Sequence, residues 1–401
     1  MPGNAVRIPR TTCRLFGAMK AVSTLKNTVV LVHGPKGCVY HINYILGMRG
    51  DRPSKIYSTC LEEHDVVFGA EEKLVDAISQ LDRELSPDLI LVFSCCATSI
   101  IGEDVEGALR ASSARARVIG IETGGFEGDH TSGYGETLRR LAMDLSIPGI
   151  HVEPCTVNLI GMLRAGPDLR EITSILEEAG VHVNTVLTAN ASLGDLERLG
   201  RAELNVVICE TSGKAAAEAL EQKFGTPYLI AEIPIGPDST DNFLSLILKS
   251  LDMPDLPKKS PHIKIDNYKG RIRRNIAVVS GPTRAVAMTR FLKELGIMPR
   301  MIVLDFDTCA SDKISEICGD ECLILIHPEQ EEILEKLREL EIDLLIGGMM
   351  ERPLAACLGI DHVDMMHGSQ KTVGDKGTGN LLAAIMRDQK KCSNGNTRKD
   401  E

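Results

Sequence analysis

Short runs of apolar residues alternate along the chain with longer segments of helical periodicity. Continuous apolar runs predict strands that are buried on both faces; they cover Thr28–His33, Asp88–Phe93, Arg117–Ile121, Leu204–Ile208, Asn275–Val279, Met301–Leu304, Cys322–Ile326 and Asp343–Ile346. Apolar positions three and four residues apart predict helices over Glu71–Leu85, Asp168–Ala179, Ser212–Phe224 and Glu329–Leu340. This alternation of strands and helices predicts an α/β fold with parallel sheets.

Two changes in composition suggest domain boundaries. The stretch 146–154 contains prolines, and the stretch 253–269 carries three prolines and several lysines before the next strand begins. We therefore expect three Rossmann-like domains of similar size, over residues 1–153, 154–270 and 271–388. A polar tail, 389–401, follows them.

The composition excludes several classes of protein. Of 401 residues, 43% are hydrophobic and 25% charged, which is typical of a folded globular chain. The net charge of −11 and only 3% aromatic residues argue against a nucleic-acid partner. The longest apolar runs span one strand each, too short for a membrane helix. Residues 1–10 lack the apolar core of a signal peptide, so we expect a cytoplasmic protein.

Cysteine is the exception in this composition. Twelve cysteines in a chain of this kind do not indicate a disulfide framework, because the cytoplasm keeps thiols reduced. No C-x-x-C pair occurs, which excludes zinc-ribbon and bacterial ferredoxin patterns. Thiolate ligands of a metal centre would therefore come from distant loops.

Three cysteines follow predicted strands. Cys38 ends the loop His33-Gly-Pro-Lys-Gly-Cys38, Cys96 precedes a helix expected near 102–104, and Cys209 precedes a helix expected to be capped by Thr211 or Ser212. Ligands gather at the carboxyl ends of parallel strands, and a helix N-terminus favours the thiolate. These positions therefore indicate candidate ligands.

The motifs resemble those of the nitrogenase component 1 family. That family has a cysteine before its first helix, one in H-G-P-x-G-C and one in C-x5-G-[DE]-D, which Cys13, Cys38 and Cys96 match. Further similar blocks extend the resemblance over nearly the whole chain; they are Glu62–Leu74, Val157–Gly161, Asp343–Arg352 and Met366–Gly368.

The resemblance implies a 4Fe-4S cluster held by Cys13, Cys38 and Cys96 at a subunit interface. Cys60 lies where relatives often have Asp or Ser, so it is a candidate for a further ligand. Cys95 is not expected to be a ligand, because the spacing to Gly102 selects Cys96. The other cysteines match no cluster position and are expected to be structural; they are Cys155, Cys309, Cys318, Cys322, Cys357 and Cys392.

Cys209 and His367 match the two residues that hold the active-site cofactor in nitrogenase. This chain departs from nitrogenase beside the cysteine, where it has Ile208 and Glu210. The two residues either bind a metal or line a substrate cavity, and His367 is the better acid–base candidate because histidine titrates near neutral pH. A cavity between the second and third domains is expected, with Arg352 and Lys371 as cationic contacts.

The glycine-rich stretch 374–379 is not a P-loop, and no P-loop motif occurs, so we expect no ATP hydrolysis by this chain. The resemblance assigns that role to a separate ATP-dependent iron–sulfur reductase, similar to the nitrogenase iron protein. It also implies a homodimer. The reaction it implies is the reduction and cyclisation of nickel-sirohydrochlorin a,c-diamide, a nickel tetrapyrrole on the methanogenic route to factor 430. Two alternatives remain open: a non-catalytic scaffold for cofactor assembly, and a reductase of another substrate.

Overall fold

A computed structural model describes residues 12–48, 55–124, 128–148, 151–161, 165–254, 263–306 and 308–387. The expected tail 389–401, with Cys392, lies outside these residues, as does part of the stretch 253–269.

Helices and strands alternate along the described chain. The first stretch contains α1 (Arg14–Val22), β1 (Thr28–His33), α2 (Lys36–Met48), β2 (Lys55–Ser58), α3 (Glu63–Phe68), α4 (Glu71–Leu85), β3 (Leu89–Ser94), α5 (Cys96–Ile101), α6 (Val105–Ala111), β4 (Arg117–Ile121) and α7 (His130–Leu145). The middle stretch contains β5 (Glu153–Ile160), α8 (Pro167–Glu178), β6 (His182–Leu187), α9 (Leu193–Glu197), β7 (Ala202–Val207), α10 (Glu210–Phe224), β8 (Tyr228–Ile230) and α11 (Pro237–Ser250). The last stretch contains β9 (Ile276–Ser280), α12 (Pro282–Glu294), β10 (Met301–Leu304), α13 (Ala310–Cys318), β11 (Leu323–Ile326), α14 (Gln330–Glu339), β12 (Leu344–Gly347), α15 (Arg352–Leu358), β13 (Asp361–Asp364) and α16 (Gly374–Ile385).

The strands form three parallel sheets. Their orders are β2-β1-β3-β4, β6-β5-β7-β8 and β11-β10-β9-β12-β13. Every paired strand runs parallel to its neighbour. The predicted α/β class with parallel sheets is confirmed.

The central strands are continuous apolar runs because helices cover both faces of each sheet. All six residues of β1 and all six of β3 are buried. In the last sheet, β9, β10 and β12 are buried along their whole length. This burial is why the apolar runs identified these strands so closely. The helix α4 was predicted at its observed bounds because it buries only one face, with Leu74, Ile78 and Leu81 at helical spacing.

Residue contacts group the chain into two compact units. Unit 1 contains the described residues up to Ala165 together with Gly180–Ala231, and unit 2 contains Gly166–Ala179 and the described residues from Glu232 onward. Unit 1 therefore holds the first two sheets, and unit 2 holds the third sheet and α8. The expected division into three domains stays a prediction. Across the described segments, no helix is both long and apolar enough to cross a membrane.

Candidate functional site

Cys38 and Cys96 lie on either side of the switch point of the first sheet. In the order β2-β1-β3-β4, the chain leaves the adjacent strands β1 and β3 in opposite directions, which opens a crevice at their carboxyl ends. Cys38 is the third residue of α2, after β1, and Cys96 is the first residue of α5, after β3. The sheet topology therefore brings two of the predicted ligands to one crevice.

The helix expected near residues 102–104 is α6, but a further short helix, which the sequence did not indicate, precedes it. Cys96–Ile101 forms α5, and Gly102 ends this helix at a φ of 70°. The next helix, α6, begins at Val105 and is capped by Asp104, whose Oδ1 accepts the Gly107 N–H at 2.8 Å. A helix of six residues is too short to show a helical period in sequence.

Cys13 is the N-cap residue of α1, and close packing of α1 on α7 holds it in place. Its backbone forms an isolated antiparallel bridge with Asp129. A Cβ atom at Gly17 would lie 1.8 Å from the carbonyl oxygen of His130, and one at Gly133 would lie 2.0 Å from the carbonyl oxygen of Arg14. Only glycine at these two positions allows the helix backbones to approach so closely.

The three predicted ligands are in electrostatic contact. Burial raises the pKa of the Cys38 thiol, and the neighbouring thiols Cys95, Cys13 and Cys96 raise it further. Cys13 and Cys96 are exposed, Cys38 is half-buried, and the described cysteines are all free thiols. Thiolates gathered in this way repel one another unless a cation lies among them.

The donor set fits an iron–sulfur cluster better than a single metal ion. Among the residues that the structure describes, no three His, Cys, Asp or Glu side chains are close enough to hold one ion. A cluster places each cysteine sulfur on a different iron atom and so needs thiols that are gathered but separated. The residues present therefore fit the group, and ligation by Cys13, Cys38 and Cys96 stays a prediction.

The neighbouring cysteines Cys95 and Cys60 have different environments. Cys95 is 2% exposed, and its N–H donates to the Thr98 hydroxyl at 2.9 Å as the α5 helix begins. This environment suits a structural residue. Cys60 is exposed after β2 at a φ of 52°, with its carbonyl oxygen 3.1 Å from Lys73 Nζ. Its role as a further ligand stays a prediction.

Cys209 lies at the corresponding switch point of the second sheet, between β5 and β7. Gly161, which follows β5 at a φ of 84°, approaches so closely that a Cβ there would lie 3.0 Å from the Cys209 carbonyl oxygen. The expected cap at Thr211 or Ser212 was wrong: Cys209 itself is the N-cap of α10, and its carbonyl oxygen accepts the Gly213 N–H at 2.8 Å. Because the extended Cys209 is the N-cap, α10 begins at Glu210, two residues before the predicted start at Ser212.

His367 belongs to unit 2 and follows β13. Its Nδ1 accepts the backbone N–H of Met349 at 3.2 Å, and its own backbone N–H donates to Asp364 Oδ1 at 2.7 Å. Because Nδ1 is the acceptor, the neutral ring carries its proton on Nε2. The geometry therefore places the N–H of the neutral ring at Nε2, with Nδ1 occupied by the backbone.

The segment that carries His367 is clamped by ionic contacts that sequence reasoning missed. Asp168 on α8 accepts the Thr372 N–H at 2.6 Å and lies 2.6 Å from the Arg284 guanidinium. Arg284 also donates to the carbonyl oxygen of Met365 at 3.0 Å. These partners are 81 to 204 residues apart in the chain, so no local pattern could have indicated them.

The two expected cationic contacts have different surroundings. The Lys371 ammonium is paired with the buried carboxylate of Glu171, so its charge is already compensated. Arg352 is exposed as the first residue of α15. Burial lowers the pKa of His362, and the positive charge of Arg352 contributes to that lowering. Arg352 is therefore the better candidate of the two for binding an anionic substrate.

The glycine-rich stretch 374–379 forms the first turns of α16 rather than a phosphate-binding loop.

Burial keeps two cysteines of unit 2 in the neutral form. It raises the pKa of Cys322 to about 12, with a smaller contribution from Cys318, and it raises the pKa of Cys318. Neutral buried thiols suit the structural role expected for both.

Comparisons with known proteins agree on one family. The model of the family described as nitrogenase component 1 type oxidoreductase matches residues 13–390. The nitrogenase iron-molybdenum cofactor biosynthesis protein NifE of Clostridium pasteurianum is 29% identical over 381 residues, covering 90% of this chain and 83% of that protein. The nitrogenase molybdenum-iron protein beta chain of Methanothermobacter thermautotrophicus is 26% identical over 431 residues, covering 94% and 93%.

A solved structure, nitrogenase Cp1 at pH 6.5, matches with a TM-score of 0.83 at 19% identity, covering 100% of this chain and 98% of that chain. At this identity, the likeness concerns the fold alone.

Proposed function

Because the chain belongs to the nitrogenase component 1 family, we propose that it is the catalytic component of a nitrogenase-like reductase, with a 4Fe-4S cluster held by Cys13, Cys38 and Cys96. The observation that carries this proposal is the meeting of Cys38 and Cys96 at the switch point of the first sheet, with the Cys13 thiol near enough to raise the pKa of Cys38. When bound, such a cluster supplies one-electron transfer. The chain's part is to present three thiolates from the N-terminal ends of three separate helices, with Cys60 as a candidate for the fourth.

His367 is the proposed proton donor. Reduction of a ring system consumes protons as well as electrons, and a positioned general acid contributes about 10²–10⁴-fold to the rate. The Met349 N–H holds Nδ1 and leaves the proton on Nε2, and the Arg284–Asp168–Thr372 contacts hold the segment in place. Cys209 is proposed to line the substrate cavity.

Electrons are proposed to come from a separate ATP-dependent iron–sulfur reductase that resembles the nitrogenase iron protein. The chain has no P-loop motif of its own, and residues 374–379 are helical. A second copy of this chain is proposed to cover the exposed thiols. Apolar side chains of α2, α3 and α5 are exposed next to them; these are Tyr40, Tyr44, Val67, Phe68 and Ile100.

The proposed substrate is nickel-sirohydrochlorin a,c-diamide, which would be reduced and cyclised on the route to factor 430. The support is chemical: Ile208 and Glu210 replace the residues that flank the cofactor cysteine in nitrogenase, so a different occupant is expected beside Cys209. The exposed guanidinium of Arg352 suits the carboxylates of a tetrapyrrole by charge-assisted hydrogen bonds.

A second candidate function is a scaffold for cofactor assembly. The relative from Clostridium pasteurianum, 29% identical, is named for cofactor biosynthesis, and this similarity favours the alternative. In that case Cys209 would hold a cluster precursor, and the protein would turn over no substrate.

One anaerobic experiment separates these functions. The protein is loaded with iron and sulfide, its iron and EPR signal are measured, and turnover of nickel-sirohydrochlorin a,c-diamide is assayed with the reductase and ATP. We expect Cys38→Ala and Cys96→Ala to lose the iron, whereas Cys95→Ala, a matched control in the same motif, keeps it. We expect His367→Ala to keep the iron and lower turnover by about 10²–10⁴-fold.

Full iron content in both ligand variants would contradict the cluster assignment. Loaded protein with no turnover, but with a transferable precursor bound through Cys209, would favour the scaffold. Turnover with a chemical reductant alone, at the same rate and without ATP, would contradict the need for a reductase.

A further inference from the structure

A fully buried histidine lies beneath the crevice that contains the predicted ligands. His33 ends β1, and its side chain is 0% exposed. Its Nε2 lies 2.9 Å from Oε2 of Glu103, whose side chain is 2% exposed, and its Nδ1 lies 3.0 Å from the hydroxyl of Thr59. No part of the proposed chemistry uses these three residues.

The hydrogen bonds around this histidine form one continuous network. Glu103 Oε1 accepts the Ala70 N–H at 2.6 Å, so a carboxylate there accepts from His33 Nε2–H on its other oxygen. Nδ1 then accepts from the Thr59 hydroxyl, which itself accepts the Gly34 N–H at 3.1 Å. Each of these side-chain donors and acceptors has a partner.

Each side chain of this network belongs to a segment that carries a cysteine. His33 and Gly34 begin the loop that leads to Cys38, Thr59 immediately precedes Cys60, and Glu103 follows α5, which begins at Cys96. The Ser58 hydroxyl adds a bond of 2.7 Å to the carbonyl oxygen of Gly34. The network therefore ties together the segments after β1, β2 and β3.

We propose that His33, Glu103 and Thr59 are positioning residues that fix the Cys38 and Cys96 segments relative to each other, and so set how firmly the cluster is retained. This inference rests on the proposed cluster. Its physical basis is burial: removal of one member leaves a buried donor or acceptor of its partner without a hydrogen bond, and the loops must move to satisfy it. A loop that is already rigid loses less conformational entropy when it binds a metal centre than a loop that must first be ordered.

The test compares the rate at which an iron chelator removes iron from loaded wild-type protein and variants. We expect Glu103→Ala and the nearly isosteric Thr59→Val to lose iron about 10–100-fold faster than wild type. Glu103→Gln, which keeps hydrogen-bonding groups for Ala70 and His33, is expected to restore most of the resistance. Asp104→Ala is the matched control, since this exposed neighbour caps only α6.

A second measurement uses metal-free protein. We expect hydrogen exchange at the amides of 34–38 to be faster in Glu103→Ala and Thr59→Val, and unchanged in Asp104→Ala. Loaded Thr59→Val and Glu103→Ala that lose iron at the wild-type rate would overturn the inference. Wild-type protein that binds no iron would instead refute the proposed cluster, while the exchange measurement would still report on the network.

Discussion

At the residue scale, Glu294 is a carboxyl group in an unfavourable environment for its charge. It ends α12 and accepts hydrogen bonds from the backbone N–H groups of Asp238 and Ser239 in the first turn of α11. Burial raises its pKa to about 7, the negative charge of Asp238 adds to the rise, and the two N–H donors and Lys269 oppose it. The fold therefore favours the protonated form.

This shift predicts a pH dependence of stability. Between pH 4.5 and about 7 the folded protein keeps a proton that the unfolded chain has released, so the free energy of unfolding falls as the pH rises through that window. Glu294→Gln removes the titration. The melting temperature of this variant minus that of wild type should therefore increase from pH 5 to pH 8. Exposed Glu335 on α14 offers the control Glu335→Gln, for which no such gain is expected. A parallel pH profile for Glu294→Gln and wild type would contradict the assignment.

At the element scale, the contact between α1 and α7 depends on glycine. A Cβ at Gly17 would lie 1.8 Å from a backbone oxygen of α7, which cannot rotate away as a side chain can. Cys13 caps α1, so a displacement of this helix would move a predicted ligand.

We therefore expect Gly17→Ala to lower the free energy of unfolding by about 1–3 kcal/mol, which is typical of overpacking. Iron content after loading should fall as well, because Cys13 is displaced. Gly47→Ala is the matched control: this α2 position has open space around its Cβ, so the helix should gain up to about 1 kcal/mol. Urea unfolding of both variants checks the prediction. A Gly17→Ala protein as stable as wild type would contradict it.

At the scale of the whole molecule, large apolar side chains are exposed on α2 and α5, the helices of Cys38 and Cys96, and on α3. Tyr40 is 76% exposed, Phe68 is 74% exposed and Ile100 is 70% exposed, on three helices that follow neighbouring strands of the first sheet. Exposed apolar patches of this kind mark interaction surfaces. A second copy of the chain would bury them and shield the exposed thiols.

We expect sedimentation of the loaded protein to give a mass twice that of the chain. Phe68→Glu together with Tyr40→Glu should shift it to the monomer, because burying two carboxylates in the interface is costly. Leu246→Glu, at an exposed apolar position on α11 in unit 2, should leave the dimer unchanged. A dimer that persists in the double variant would place the interface elsewhere, and a wild-type monomer would contradict the homodimer.

The sequence alone determined the central buried strands and the candidate ligands. Continuous apolar runs identified buried strands such as β1 and β3, because a strand covered by helices on both faces has no polar side to show. The resemblance of Cys13, Cys38 and Cys96 to the cysteines of a known family indicated which cysteines to consider, and the family comparison confirmed the resemblance. Burial and local periodicity are properties that a linear sequence records.

Only the tertiary structure decided how those residues are held. It showed that α5 begins at Cys96 and α10 at Glu210, where short-range hydrogen bonds rather than periodicity set the helix start. It also paired His33 with Glu103, 70 residues apart, and Arg284 with Asp168, 116 residues apart. Such contacts depend on the order of strands in a sheet and on which loops meet at its edge, and no local pattern along the chain encodes that meeting.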